Sequence, residues 1–116
     1  MAYNRAGVQE FIAKRGMTGN GDVDIWLNGR YEAAEIYIQN SGASTATLDV
    51  VMIPPVIEDI SFTAAEQDLP SAYTPGTIAA GAEDVLFLQT PLSGVRVKVS
   101  SNNGNINIVV RLVGRP

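Results

Sequence analysis

The sequence predicts an all-β domain, a β-sandwich or jelly-roll-like fold of about seven or eight short antiparallel strands. Three observations predict it. Apolar and polar residues alternate at period two through most of the chain, which is the pattern of a half-buried strand. Clusters of Gly, Pro and Asn separate these stretches, and such clusters mark turns. At 116 residues and 46% hydrophobic content, the chain fits one domain with a real core. It contains no cysteine, so stability must come from packing or from neighbouring subunits.

Residues 1–21 differ from the rest. Val8, Phe11 and Ile12 have i, i+3, i+4 spacing, which predicts a short amphipathic helical turn. Gly16 and the run Thr18-Gly19-Asn20-Gly21 break it. So short a helix is marginal alone, and the segment reads as an N-terminal arm that packs on its own domain or reaches a neighbour. The predicted organisation is therefore an arm, 1–21, and a single β-sandwich domain, 22–116.

From Asp22 the period becomes two. Val23, Ile25 and Leu27 alternate with Asp22, Asp24 and Trp26, and Asn28-Gly29 supplies a turn signal. Residues 35–39 alternate through Ile36 and Ile38. A small polar loop, 40–45, precedes a strand over 47–53, which Pro54-Pro55 ends because proline cannot donate to a ladder. A further strand is expected at 57–62, a long loop at 63–76, and two strands at 77–79 and 84–89 divided by Ala80-Gly81. The clearest element is a closing hairpin. Val95, Val97 and Val99 alternate with Arg96, Lys98 and Ser100, and Ile106, Ile108, Val110 and Leu112 alternate with Asn107, Val109 and Arg111. A two-residue turn at Asn103-Gly104 would pair Val99 with Ile108, Val97 with Val110 and Val95 with Leu112. It would also set Arg96 opposite Arg111, with Lys98 diagonal, a repulsion that an anionic partner, or water and salt, would relieve. Val109 shares that outer face, and valine mixed with arginine suits an interface.

Charge is segregated along the chain. Residues 1–21 hold three basic residues against one acid, 22–95 one against eleven, and 96–116 four against none, for a net −4. Acid and base either neutralise each other within the fold or join copies head to tail. With a pI of 4.6, nucleic acid is a poor partner, since its binding rests on phosphate neutralisation. No apolar run approaches the roughly 20 residues of a membrane span, and residues 1–16 show no apolar signal-peptide region.

There is no histidine or cysteine, so Ser-His-Asp, Cys-His and Cys/His zinc chemistry are excluded. Gly76 to Gly81 lacks the lysine of a phosphate loop. Asp22 and Asp24 share one strand face beside a glycine-rich loop, but the fuller oxygen pattern of a calcium site is missing. Glu58-Asp59 and Glu83-Asp84 are adjacent and point to opposite faces of a strand, unlike the facing carboxylates of a glycosidase. No catalytic residue, metal site or cofactor is expected. Trp26 and Tyr37 fall opposite the aliphatic faces of their strands, where they would stack on a sugar or pack in a second layer.

The closing pattern, Leu92-Ser93-Gly94-Val95-Arg96-Val97-Lys98-Val99-Ser100, then Asn103-Gly104 and residues 106–112, resembles the terminal hairpin of small acidic β-sandwich virion proteins of tailed bacteriophages. The resemblance covers mainly residues 77–113 and is architectural. It implies a non-enzymatic structural protein of the virion, of the capsid decoration (cement) type. Such proteins sit on the shell as trimers or dimers and contact the major capsid protein or other virion proteins. The expected interface residues are Tyr3, Arg5, Val8, Phe11, Ile12, Lys14 and Arg15 of the arm, with Arg96, Lys98, Val109 and Arg111 of the hairpin. The alternatives are a tail, neck or baseplate component, or a carbohydrate-binding adhesion module. An enzyme with paired carboxylates is the remaining class.

Overall fold

The computed structural model describes residues 3–5, 8–26, 31–53, 56–57, 60–61, 73, 76–88 and 94–114. The chain is all-β. Its strands in order are β1 (Tyr3–Arg5), β2 (Val8–Met17), β3 (Gly21–Trp26), β4 (Tyr31–Asn40), β5 (Ala46–Met52), β6 (Val56–Ile57), β7 (Ile60–Ser61), β8 (Gly76–Ile78), β9 (Glu83–Leu88), β10 (Gly94–Ser100) and β11 (Ile106–Gly114). Two sheets carry the fold, with orders β1-β2-β11-β4-β9 and β3-β10-β5-β8, and every pairing in them is antiparallel. Setting aside β1, these are two four-stranded sheets joined by connections that keep crossing between them, which is a jelly-roll arrangement. β6 and β7 form a separate short pair.

Period-two alternation builds the core. Ile36 and Ile38 of β4 and Ile106, Ile108, Val110 and Leu112 of β11 point inward from one sheet. Val23 and Ile25 of β3, Leu48 and Val50 of β5, and Val95, Val97 and Val99 of β10 meet them from the other. Full burial of each such side chain contributes about 1.5–3 kcal/mol.

Two expectations are corrected. Residues 8–17 form a strand and no helical turn: β2 pairs with β11 from Val8 opposite Val113 to Met17 opposite Ile106. Val8 to Ile12 pair residue by residue with Val113 to Val109, so the i, i+3, i+4 spacing arises because apolar side chains lie on both faces, Phe11 inward and Val8 and Ile12 outward. Register shifts on either side of Ile108 and a left-handed Gly16 (φ 65°) disturb the alternation only beyond Ile12. The closing hairpin also does not form. β10 and β11 belong to different sheets, so their aliphatic faces meet across the core and not edge to edge. Inward valines and isoleucines satisfy either geometry. Electrostatics separates them, because the sandwich sets Arg96 opposite Asp24 and Arg111 between Glu10 and Glu35, where the hairpin would oppose two arginines.

Four connections cross between the sheets at one end: residues 18–20, 41–45, 79–82 and 101–105. Two buried asparagines bind this end together. Asn40 donates its amide to Ser44 O (2.8 Å) and Ile78 O (3.1 Å), while its Oδ1 accepts from Gly42 N (3.1 Å). Asn102 donates to Met17 O and Gly19 O (both 2.9 Å), and its Oδ1 accepts from Gly104 N (2.9 Å). Both use the Asx-turn geometry that asparagine offers in loops. Glycine is required where two of these connections touch, since a Cβ on Gly42 would lie 2.5 Å from Gly104 Cα and 2.6 Å from Asn105 N. Of the remaining expectations, the Asn28-Gly29 turn, Pro54-Pro55, Glu58-Asp59 and most of the 63–76 loop lie outside the described residues.

Candidate functional site

The candidate site is the outer face of the five-stranded sheet. Alternation that sends one set of side chains into the core sends the other set outward, and the registers align the outward set in rows. Ile12, Val109, Tyr37 and Val85 stand side by side on β2, β11, β4 and β9. They are 42%, 38%, 37% and 48% exposed, and Phe87 one row away is 52% exposed. An apolar row that crosses four strands is contiguous, unlike the single exposed valines of an ordinary surface.

Polar groups that satisfy one another flank the row. On the side of the connections, Gly16 N donates to Asn107 Oδ1 (2.8 Å), Asn107 Nδ2 to Gln39 Oε1 (3.0 Å), and Gln39 Nε2 to Glu83 Oε1 (3.0 Å). This amide ladder spans the sheet and ends on a carboxylate. On the other side Arg111 sits between two acids, 2.9 Å from Glu10 Oε2 and 3.4 Å from Glu35 Oε1. The Glu10 carboxylate, hydrogen-bonded to it, holds the guanidinium protonated more firmly than usual. Its charge also lies 5.8 Å from the centre of the Tyr37 ring, within cation–π range. Tyr37 donates its hydroxyl to Glu35, and that bond raises the phenol pKa. Between ladder and row, Tyr37, Gln39, Glu83, Asn107 and Val109 line an open depression of about 200 Å³. That is below the ~300–1,000 Å³ of small-molecule pockets and suits a single inserted side chain.

The structure gathers part of the expected interface on this face. Ile12, Val109 and Arg111 lie on it, and Lys14 and Arg15 are exposed at its β2 edge. Val8 is half-buried opposite Val113. Phe11 faces inward and packs, partly buried, against the core. Tyr3 and Arg5 lie in β1, and their side chains lie outside the described residues. Arg96 and Lys98 belong to the opposite face of the sandwich. There Arg96 makes a two-pronged contact with Asp24, at 2.8 and 3.2 Å, and lies 3.9 Å from Asp22. Arg96 and Arg111 are thus neutralised within the chain, and the expected continuous basic face is absent. Tyr37, Val85, Phe87 and the amide ladder were not among the expected contacts; only the order of strands in the sheet makes them neighbours of Ile12 and Val109.

The other candidates resolve as follows. Asp22 and Asp24 share a face as the spacing predicts, but Arg96 takes Asp24. No cluster of three or more metal-ligating side chains occurs among the described residues. Glu83 points to the amide ladder and Asp84 accepts from the Tyr73 hydroxyl (2.6 Å). Trp26 is 53% exposed and lies against Gly94, where a Cβ would come within 3.0 Å of its ring. Trp26 and Tyr37 occupy opposite faces, so they cannot form one sugar platform.

No family model matches the chain, and no curated protein matches it in sequence. Among solved structures, the SPBc2 prophage-derived protein YomS is similar with a TM-score of 0.64 at 12% identity, over 92% of this chain and 93% of that one. Part of tripeptidyl peptidase 2 (TPP II) is similar with a TM-score of 0.57 at 10% identity, over 97% of this chain and 10% of that one. The tobacco streak virus coat protein has a TM-score of 0.49 at 7% identity, over 97% of this chain and 89% of that one. At these identities the likeness is one of fold: the chain is a jelly-roll-like β-sandwich, and a prophage-derived protein shares that fold over nearly its whole length.

Proposed function

We propose that the chain is a non-enzymatic structural protein of a phage virion, of the capsid decoration type, and that the outer face of its five-stranded sheet is a protein contact surface on which its assembly at the shell depends. The observation that carries this reading is the exposed row Ile12–Val109–Tyr37–Val85, flanked by polar groups that are already satisfied. Such a surface has the apolar centre and polar rim of a protein interface, with a depression sized for one side chain. The shared fold with a prophage-derived protein supports a phage context. The edge strands β1 and β2 with Lys14 and Arg15 are the part of the expected arm that adjoins this face. Repetition by symmetry would make modest contacts add up to firm attachment.

The test is co-sedimentation with purified empty shells. Wild-type protein should bind stoichiometrically and Val109→Asp should not, while the variant keeps its circular dichroism. Removing residues 1–7 spares β2 and tests the arm alone; shell binding should fall with folding intact. Absence of wild-type binding to shells, with a ring in solution, would replace the capsid by a tail, neck or baseplate position. A second reading, a carbohydrate-binding adhesion module, rests on half-exposed Trp26 over Gly94. Retention on a glycan array that Trp26→Ala abolishes would favour it.

A further inference from the structure

We infer that the partner of this face is a second copy of the chain, related by a two-fold axis parallel to the strands. The inference rests on reading the face as an interface and adds the occupant. A two-fold along the strands exchanges β2 with β9 and β11 with β4 while keeping each row opposite itself. Ile12 then meets Val85 of the second copy and Val109 meets Tyr37, so the apolar row is complementary to itself, as an isologous contact requires.

Lys14 and Arg15 are exposed on β2 at one edge of the face, and Glu83, which ends the amide ladder, is exposed on β9 at the other. Neither base forms an ion pair among the described residues. Three strand spacings of ~4.8 Å keep the two edges roughly 14 Å apart, beyond the ~8 Å screening length of physiological salt. They cannot neutralise each other within one chain. The same axis brings the basic edge of each copy onto the acidic edge of the other, and Arg111 over the partner's Glu35. Each axis sets one carboxylate against Phe87, Glu10 along the strands and Glu83 across them. A two-fold across the strands also stacks the apolar row, but it offers Lys14 and Arg15 only Glu10, already paired with Arg111, and offers Arg111 only the Asn107 amide.

Three strands of nine or ten residues and the six-residue β9, at ~4.8 Å spacing, give a four-strand face of ~530 Å². That is about two-thirds of the ~800 Å² each partner buries in a standard interface. Aligned sheets pack about 30° apart, which splays the corners and leaves the central rows in contact.

The experiment is light scattering on the full chain at about 100 μM, with circular dichroism as the folding control. Wild type should show twice the 12.3 kDa chain mass. Val109→Asp should be monomeric, as should Lys14→Glu/Arg15→Glu and, separately, Glu83→Lys, with dissociation constants raised at least tenfold. Mixing the last two variants should restore the dimer, because each edge contact then pairs opposite charges. A wild-type monomer that still binds shells would overturn the dimer and leave the proposed function standing. A dimer that binds no shell would do the reverse. A dimer untouched by these variants would overturn this face, and rescue of Lys14→Glu/Arg15→Glu by Glu10→Lys, in place of Glu83→Lys, would overturn the axis.

Discussion

Replacing Asn40 by alanine should cost about 3 kcal/mol of stability. Its side chain is fully buried and makes three hydrogen bonds, to Ser44 O, Ile78 O and Gly42 N. A neutral bond is worth about 1 kcal/mol net, and a buried group left unpaired costs about 1–3 kcal/mol. The three bonds give about 3 kcal/mol, and orphaned Ile78 O or Gly42 N would add to it. The backbone bonds of Asn40 with Ala82 and Gly81 do not depend on the side chain, so the connection keeps its course. Against a typical stability of about 5–15 kcal/mol, the variant should still fold. Urea unfolding followed by circular dichroism is the assay. With a slope of about 1.5 kcal/mol per molar, the midpoint should fall by about 2 M. Asn40→Asp, nearly isosteric, is the control: it puts carboxylate oxygens against two carbonyls and should do no better than alanine at neutral pH. A midpoint shift below about 0.5 M for alanine, or full recovery with aspartate, would refute the claim that amide donation ties the connections together.

Three further predictions use other parts of the fold. Gly42→Ala should cost several kcal/mol in the same urea titration, because its Cβ would overlap the 101–105 backbone, which cannot yield as a flexible side chain would. The Tyr73 phenol is pushed up to about 12 by burial and by its bond to Asp84, so the fold loses stability as pH rises from about 10, where the unfolded phenol ionises, to about 12; Tyr73→Phe should flatten that decline in a pH series of melts. Trp26, the sole tryptophan, should be readily quenched by iodide in the native state, and Trp26→Ala should leave the melting temperature within a few degrees of wild type.

The sequence by itself determined the class of fold and the identity of the core. Period-two alternation is a property of the single strand, so Val95, Val97, Val99, Ile106, Ile108, Val110 and Leu112 were legible as one inward set. Strands near 22–27, 35–39, 47–53, 77–79, 84–89, 95–100 and 106–112 were legible for the same reason. It did not disclose which strand lies beside which. An aliphatic strand face is equally satisfied by an edge-to-edge neighbour and by a facing sheet, so β10 and β11 read as a hairpin although they close the sandwich from opposite sides. β2 was illegible as a strand because its mixed faces, and its register shifts beyond Ile12, blur the alternation: Gln9 points inward and Ile12 outward. Only the tertiary structure put Glu10 and Glu35 around Arg111, and only it joined Ile12, Val109, Tyr37 and Val85, residues up to about a hundred positions apart, into one row. The physical reason is that local periodicity records which way a side chain points, whereas its neighbours on a sheet are set by long-range pairing.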